Sequence, residues 1–203
     1  LQRAELTEEE KYEATQYIVD ETNRLSAMSR RLLQMAALRG EQATRDPVDV
    51  SALMDRVLRT VGPKAVARGV ALRREMPPGC VLYGEAPLLE SLLVNLADNA
   101  VKACEAGGSV ALSAHRDGDC VVLRVRDTGR GMDEAALARL GDPFYRSDKA
   151  RSREQGGAGL GLALCRQIAE SHGARLSFTS TLGVGTTAEA IFPAGENDFH
   201  AAE

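Results

Sequence analysis

Between Glu8 and Arg39 the chain carries neither Gly nor Pro, and Gly40 is the first residue suited to stop a helix. Thr7 followed by Glu8, Glu9 and Glu10 reads as an N-cap with acids in the first turn. Ile18, Leu25 and Leu32 recur every seven residues, with Met28 and Met35 each three residues after a member of that series. This is an a/d seam, interrupted by Glu21. At ~1.5 Å per residue the rod is ~48 Å long, with a polar outer face, so it suits a two- or four-helix coiled assembly better than a core position.

The rest reads as compact mixed α/β behind a short linker, Glu41 to Pro47. We expect a strand near Val48, a helix from Ser51 to about Ala67, and strands at Val70–Glu75 and Cys80–Tyr83. A long helix from Pro87 to about Glu105 should close at Gly107-Gly108. Strands at Ser109–His115 and Cys120–Arg126 join at Asp117-Gly118. A helix from about Leu160 to Ser171 ends at His172-Gly173, and a hairpin, Arg175–Ser180 with Thr186–Phe192, turns through Leu182 to Gly185.

Composition narrows the class. With 44% hydrophobic and 27% charged residues the chain is globular rather than disordered. A net charge of −4 argues against a broad nucleic-acid surface. No apolar run approaches the ~20 residues that cross a bilayer, so any membrane anchor is expected outside this chain. The four cysteines form no CxxC pair, so reduced, mostly buried thiols in a cytosolic protein are expected rather than zinc or disulfides.

Three segments carry chemistry. On the central helix Asn95 and Asn99 are four apart and Lys102 three further on, so they share one edge while Leu92, Leu93, Leu96 and Ala100 pack inward. Two amides and an ammonium there could ligate Mg2+ through oxygen and neutralise phosphate, although asparagines at this spacing also decorate solvated faces. Asp127-Thr128-Gly129-Arg130-Gly131 follows the apolar strand Val121–Val125. A carboxylate there can accept from an exocyclic amine, and its two glycines let backbone approach a flat ring. A plain surface turn would read the same way. Gly156-Gly157-Ala158-Gly159-Leu160-Gly161-Leu162 opens directly into a helix, where free N–H groups can cradle phosphate. It is neither a P-loop nor a Rossmann fingerprint. Before it, Asp142 to Gln155 holds Arg146, Lys149, Arg151 and Arg153 and few apolar anchors, as a cationic lid would.

In this order the segments resemble the GHKL ATP-binding superfamily. Asn95 to Lys102 looks like its N box, Asp127 to Gly131 its G1 box, and Asp142-Pro143-Phe144-Tyr145-Arg146 its F box. Gly157 to Leu162 resembles the G2 box, and Gly183-Val184-Gly185-Thr186-Thr187 the closing Gly-Thr element. The resemblance implies a two-layer α/β sandwich of the Bergerat type preceded by a long dimerisation helix. It implies ATP and Mg2+ as ligands, with Asp127 on the adenine amine, Asn99 on Mg2+ with Asn95 beside it, and Lys102 and Arg146 on phosphates. Gly129, Gly131, Gly157, Gly159, Leu160, Gly161 and Thr186 would complete the nucleotide site.

Within that superfamily the hydrolytic members have a glutamate general base at the position of Asn95. An amide cannot take that proton, so transfer to another nucleophile is expected. Asp20 to Leu33 is similar to the second helix of a histidine kinase dimerisation domain. Residues 1–44 are therefore expected to be that helix with its linker, 45–195 the ATP-binding domain, and 196–203 a frayed tail. Ala103 stands where many kinases carry an aromatic. No His-Glu-x-x-x-Pro-like acceptor is present, and His115, His172 and His200 read as structural or incidental, so the acceptor helix is expected before residue 1. The implied protein is the catalytic part of a two-component sensor histidine kinase, cytoplasmic, membrane-tethered only through other segments, dimeric through its first helix and partnered by a response regulator. An anti-sigma-type serine kinase and a degenerate, dimerising adaptor are the rivals.

Overall fold

The computed structural model describes residues 7–38, 46–75, 79–140 and 160–193. Arg146, Gly157 and Gly159, the expected lid and tail, and His200 lie outside the described residues.

Helix α1 spans Glu8–Ala37. Its start is a capping box: the Glu10 N–H donates to Thr7 Oγ1 at 3.2 Å and the Thr7 N–H to Glu10 Oε2 at 2.7 Å. β1 (Asp46–Asp49) leads into α2 (Val50–Ala67), where Asp49 caps the Ser51 and Ala52 N–H groups. Then come β2 (Ala71–Glu75), β3 (Val81–Gly84), α3 (Ala86–Ala103), β4 (Ser109–Asp117) and β5 (Cys120–Asp127). The short α4 (Glu134–Ala138) precedes α5 (Gly161–Ser171), β6 (Arg175–Thr181) and β7 (Gly185–Pro193). α4 was not expected from the sequence; Asp133 caps it by accepting from the Ala136 N–H at 2.8 Å.

β1 and β3 form a two-stranded antiparallel sheet, and the main sheet has five strands in the order β2-β4-β5-β7-β6. Only β2–β4 is parallel in that order, because α3 crosses between them, whereas hairpins join β4 to β5 and β6 to β7. Burial alternates along β4, with Val110, Leu112 and Ala114 inside, as a sheet covered on one face requires. That covered face meets α2, α3 and α5 through Leu53, Met54, Leu89, Leu93, Ile168 and Phe192. The opposite face is polar: Arg124 donates to Glu189 across β5 and β7 at 2.7 Å. The chain is thus the expected two-layer α/β sandwich.

His172, buried at the end of α5, ties the helices together. Its Nε2 accepts from the Glu85 N–H at 3.0 Å, and its Nδ1 lies 2.7 Å from the Ile168 carbonyl, the partner for the remaining ring proton. Glu85 offers α3 no side-chain cap, so the imidazole satisfies the start of that helix instead. A Cβ on Gly84 would stand 2.6 Å from the ring, so the strand end must be glycine to admit it. The structural reading of His172 holds.

The α1 seam divides. Met35 and Leu38 pack against the core and Gln34 Nε2 donates to Ser91 Oγ at 3.5 Å, whereas Ile18, Leu25 and Leu32 are exposed. Among the described residues no helix is long and apolar enough to cross a membrane. Cys80, Cys104 and Cys165 are buried, Cys120 is half-buried, and all four are free thiols.

Candidate nucleotide site

Asp127 ends β5 and is buried to 6% exposure, which puts a carboxylate in the floor between α3 and the β6–β7 turn. Both of its backbone donors fall on one oxygen: Oδ1 accepts from the Gly129 N–H at 2.8 Å and the Thr186 N–H at 3.2 Å. Oδ2 accepts from none of the described residues. Burial pushes the Asp127 carboxyl above its usual range, partly offset by those two N–H groups. Burial and then the charge of Asp127 likewise push the neighbouring Cys104 thiol up, away from the reactive thiolate.

The protein's own backbone already demands the glycines after Asp127. A Cβ on Gly129 would lie 2.6 Å from the carbonyl of Ala103 at the end of α3. One on Gly131, which has φ +61°, would lie 2.0 Å from the Thr181 carbonyl oxygen. The loop is stitched on both sides. The Arg130 N–H donates to the Ala103 carbonyl at 3.1 Å, and the Gly183 N–H to the Arg130 carbonyl at 2.7 Å. The Met132 N–H donates to Ser180 Oγ at 2.8 Å. Thr186 therefore enters the site through its backbone, while its hydroxyl lies 3.0 Å from Ser180 Oγ.

On α3, Asn95 is buried and Asn99 exposed along the same edge. Asn95 Nδ2 donates to the Ser91 carbonyl at 2.7 Å, which orients the amide with its oxygen toward the start of α5. A Cβ on Gly161 would sit 3.0 Å from that oxygen, so glycine lets the helix start approach the amide. Leu160, buried, is the N-cap of α5 and offers no side-chain cap. The start of α5 therefore lies beside the Asn95 amide oxygen, a setting that suits phosphate and a hard cation together. Lys102 is half-buried with Nζ 2.6 Å from Asp98 Oδ2, and Arg68 Nη2 reaches the Lys102 and Cys104 carbonyls at 3.5 Å. Sequence reasoning missed Asp98 and Lys64, which also bonds Asp98. The i,i+4 spacing of Asp98 and Lys102 was the available signal.

Residues 84–196, more than half of the chain, match the family described as histidine kinase-, DNA gyrase B- and HSP90-like ATPases. The chain belongs to this family. Within the ATPase family the similarity runs to sensor kinases. The chain is 30% identical to the sensor-like histidine kinase SenX3 of Mycobacterium tuberculosis over 90% of its own length and 45% of SenX3. It thus spans less than half of that relative. The crystal structure of full-length ShkA in complex with AMPPNP superposes with a TM-score of 0.78 at 28% identity, covering 95% of this chain and 41% of ShkA. The histidine kinase ThkA in complex with the response regulator protein TrrA gives 0.70 at 19% identity, covering 88% and 51%, which is a likeness of fold. This is a histidine kinase-type ATPase domain of the GHKL superfamily.

Proposed function

We propose that this ATPase domain binds Mg-ATP and delivers the γ-phosphoryl group to a histidine outside this chain, for relay to a response regulator. Asn95 carries the reading. The hydrolytic members of the superfamily have a glutamate here to take a proton from water, whereas the edge facing α5 offers an amide that donates to the Ser91 carbonyl. Asp127 Oδ2 would accept the adenine amine, and the uncapped start of α5 would meet phosphate. Asn99, with Asn95 beside it, would hold Mg2+ through amide oxygen, and Lys102 would turn to the phosphates. Bound Mg2+ would supply charge neutralisation to the transferring group. Arg146, Gly157 and Gly159 keep the roles that the resemblance gives them.

We further propose that residues 1–44 form the second helix of a dimerisation hairpin with its linker, 45–195 the ATP-binding domain and 196–203 a tail. The exposed Ile18, Leu25 and Leu32 support a homodimer through α1, and membrane attachment would come from segments outside this chain.

Incubated with γ-labelled Mg-ATP, the chain alone is expected to release negligible phosphate and stay unlabelled. With a sensor kinase's histidine-bearing acceptor helix fused ahead of residue 1, it should gain acid-labile label on that helix. Acid-stable label would favour the serine kinase, and no nucleotide binding the adaptor. Label on His115, His172 or His200 would contradict an acceptor outside the chain.

A further inference from the structure

Lys102, the lysine proposed to meet phosphate, is held elsewhere in this structure. Its ammonium lies 2.6 Å from Asp98 Oδ2, one turn back on α3. The other oxygen of the same carboxylate, Oδ1, accepts from Lys64, which reaches across from α2. Asp98 is largely enclosed, with 18% of its side chain exposed, against 47% for Lys64 and 21% for Lys102.

We infer that Lys64 is a positioning residue for Lys102: by neutralising Asp98 from the neighbouring helix it releases Lys102 to engage a nucleotide's phosphates. The inference rests on the reading of Lys102 as a phosphate ligand. Burial works against a charge on Asp98, yet the hydrogen bonds and charges of Lys102 and Lys64 outweigh it and hold the carboxyl below its usual range. Asp98 is therefore a carboxylate in the nucleotide-free domain that a nucleotide meets at neutral pH. If Lys102 were its sole partner, drawing that ammonium to a polyphosphate would strand a half-buried carboxylate beside more negative charge. Lys64 removes that penalty. Because each lysine bonds its own oxygen, one can leave without disturbing the other. Lys64 lies on a different helix from Asn95 and Asn99, and its bond is to Asp98, so its effect on phosphate is exerted through Lys102.

The test compares Mg-ATP with adenosine, each competing against a fluorescent ATP analogue. Lys64→Met keeps the aliphatic stem, and adenosine, which has no phosphate, controls for folding and for the adenine floor. Lys64→Met is expected to weaken Mg-ATP about two- to fivefold, the range of a partly exposed ion pair, with adenosine unchanged. Lys64→Arg should restore Mg-ATP binding. Adding Asp98→Asn to Lys64→Met should restore it as well, because no carboxylate then detains Lys102. Lys102→Met tests the underlying reading. If it leaves the ratio of Mg-ATP to adenosine affinity unchanged, the phosphate role of Lys102 fails and the inference with it. If Lys102→Met lowers that ratio while Lys64→Met leaves it unchanged, Lys64 has no positioning role. If Lys64→Met lowers it and Asp98→Asn fails to restore it, Lys64 meets phosphate directly and the inference is overturned.

Discussion

Asp127→Asn is expected to weaken adenine nucleotides by about 1.5–3 kcal/mol while making the nucleotide-free domain more stable at neutral pH. Both effects come from the unequal use of the two carboxylate oxygens. Asn keeps an oxygen for the Gly129 and Thr186 N–H groups, so the loop and β7 stay tied, but it presents an N–H2 where the adenine amine needs an acceptor. Ala would confuse the two effects by orphaning both backbone donors. The stability gain follows from burial, which raises the folded-state value of this carboxyl above its unfolded one. A group shifted that way favours its protonated form in the fold, so the ionised carboxylate withdraws stability as pH rises through the raised value and withdraws none below the unfolded value. The advantage of Asn should therefore be present at neutral pH and vanish in acid. Nucleotide affinity of the wild type should fall as pH drops through the same raised value. Thermal melts across pH and nucleotide titrations of both proteins check this, and an Asn variant that binds ATP normally would remove Asp127 from the adenine site.

Gly131→Ala should cost about 3–5 kcal/mol and abolish nucleotide binding with it. At φ +61° an L-residue is already strained, and the added methyl would lie 2.0 Å from the Thr181 carbonyl oxygen and 2.7 Å from its carbon. Those are backbone atoms of a paired strand, so nothing flexible can yield. Moving the loop away would break the Gly183 N–H to Arg130 bond and the Met132 N–H to Ser180 bond, and with them the seating of Asp127. Gly118→Ala is the matched comparison, with φ +55° but nothing within 4 Å of the new methyl, and should cost only about 1–2 kcal/mol. Urea unfolding of the two variants separates them. Equal, small losses would mean that the loop is not pressed against β6.

Most of the fold was legible because its punctuation is strong. Thr7 and Glu10, the alternation along β4, and the Asp117-Gly118 turn each have a local physical reason that tertiary packing did not override. The helix expected to Glu105 stops at Ala103, since the Gly129–Arg130 backbone packs on its end and the Arg130 N–H takes the Ala103 carbonyl. α4 was missed because five residues carry too little periodicity to register. In the site, the Asn95 edge and Asp127 were readable as motifs, but the backbone crowding at the glycines was not: that Gly131 faces Thr181 depends on which strands pair. Lys64 was illegible for the same reason, since its partner lies on another helix.

The central claim is that this is an adenine-reading nucleotide domain, and calorimetric titration with ATP and with GTP, each in excess Mg2+, tests it most directly. ATP should bind with a dissociation constant in the micromolar-to-millimolar range, roughly −4 to −8 kcal/mol. GTP should bind at least about tenfold more weakly, because it presents a carbonyl where adenine has its amine and Asp127 would meet it acceptor to acceptor. No binding of ATP, or equal binding of the two nucleotides, would contradict the account.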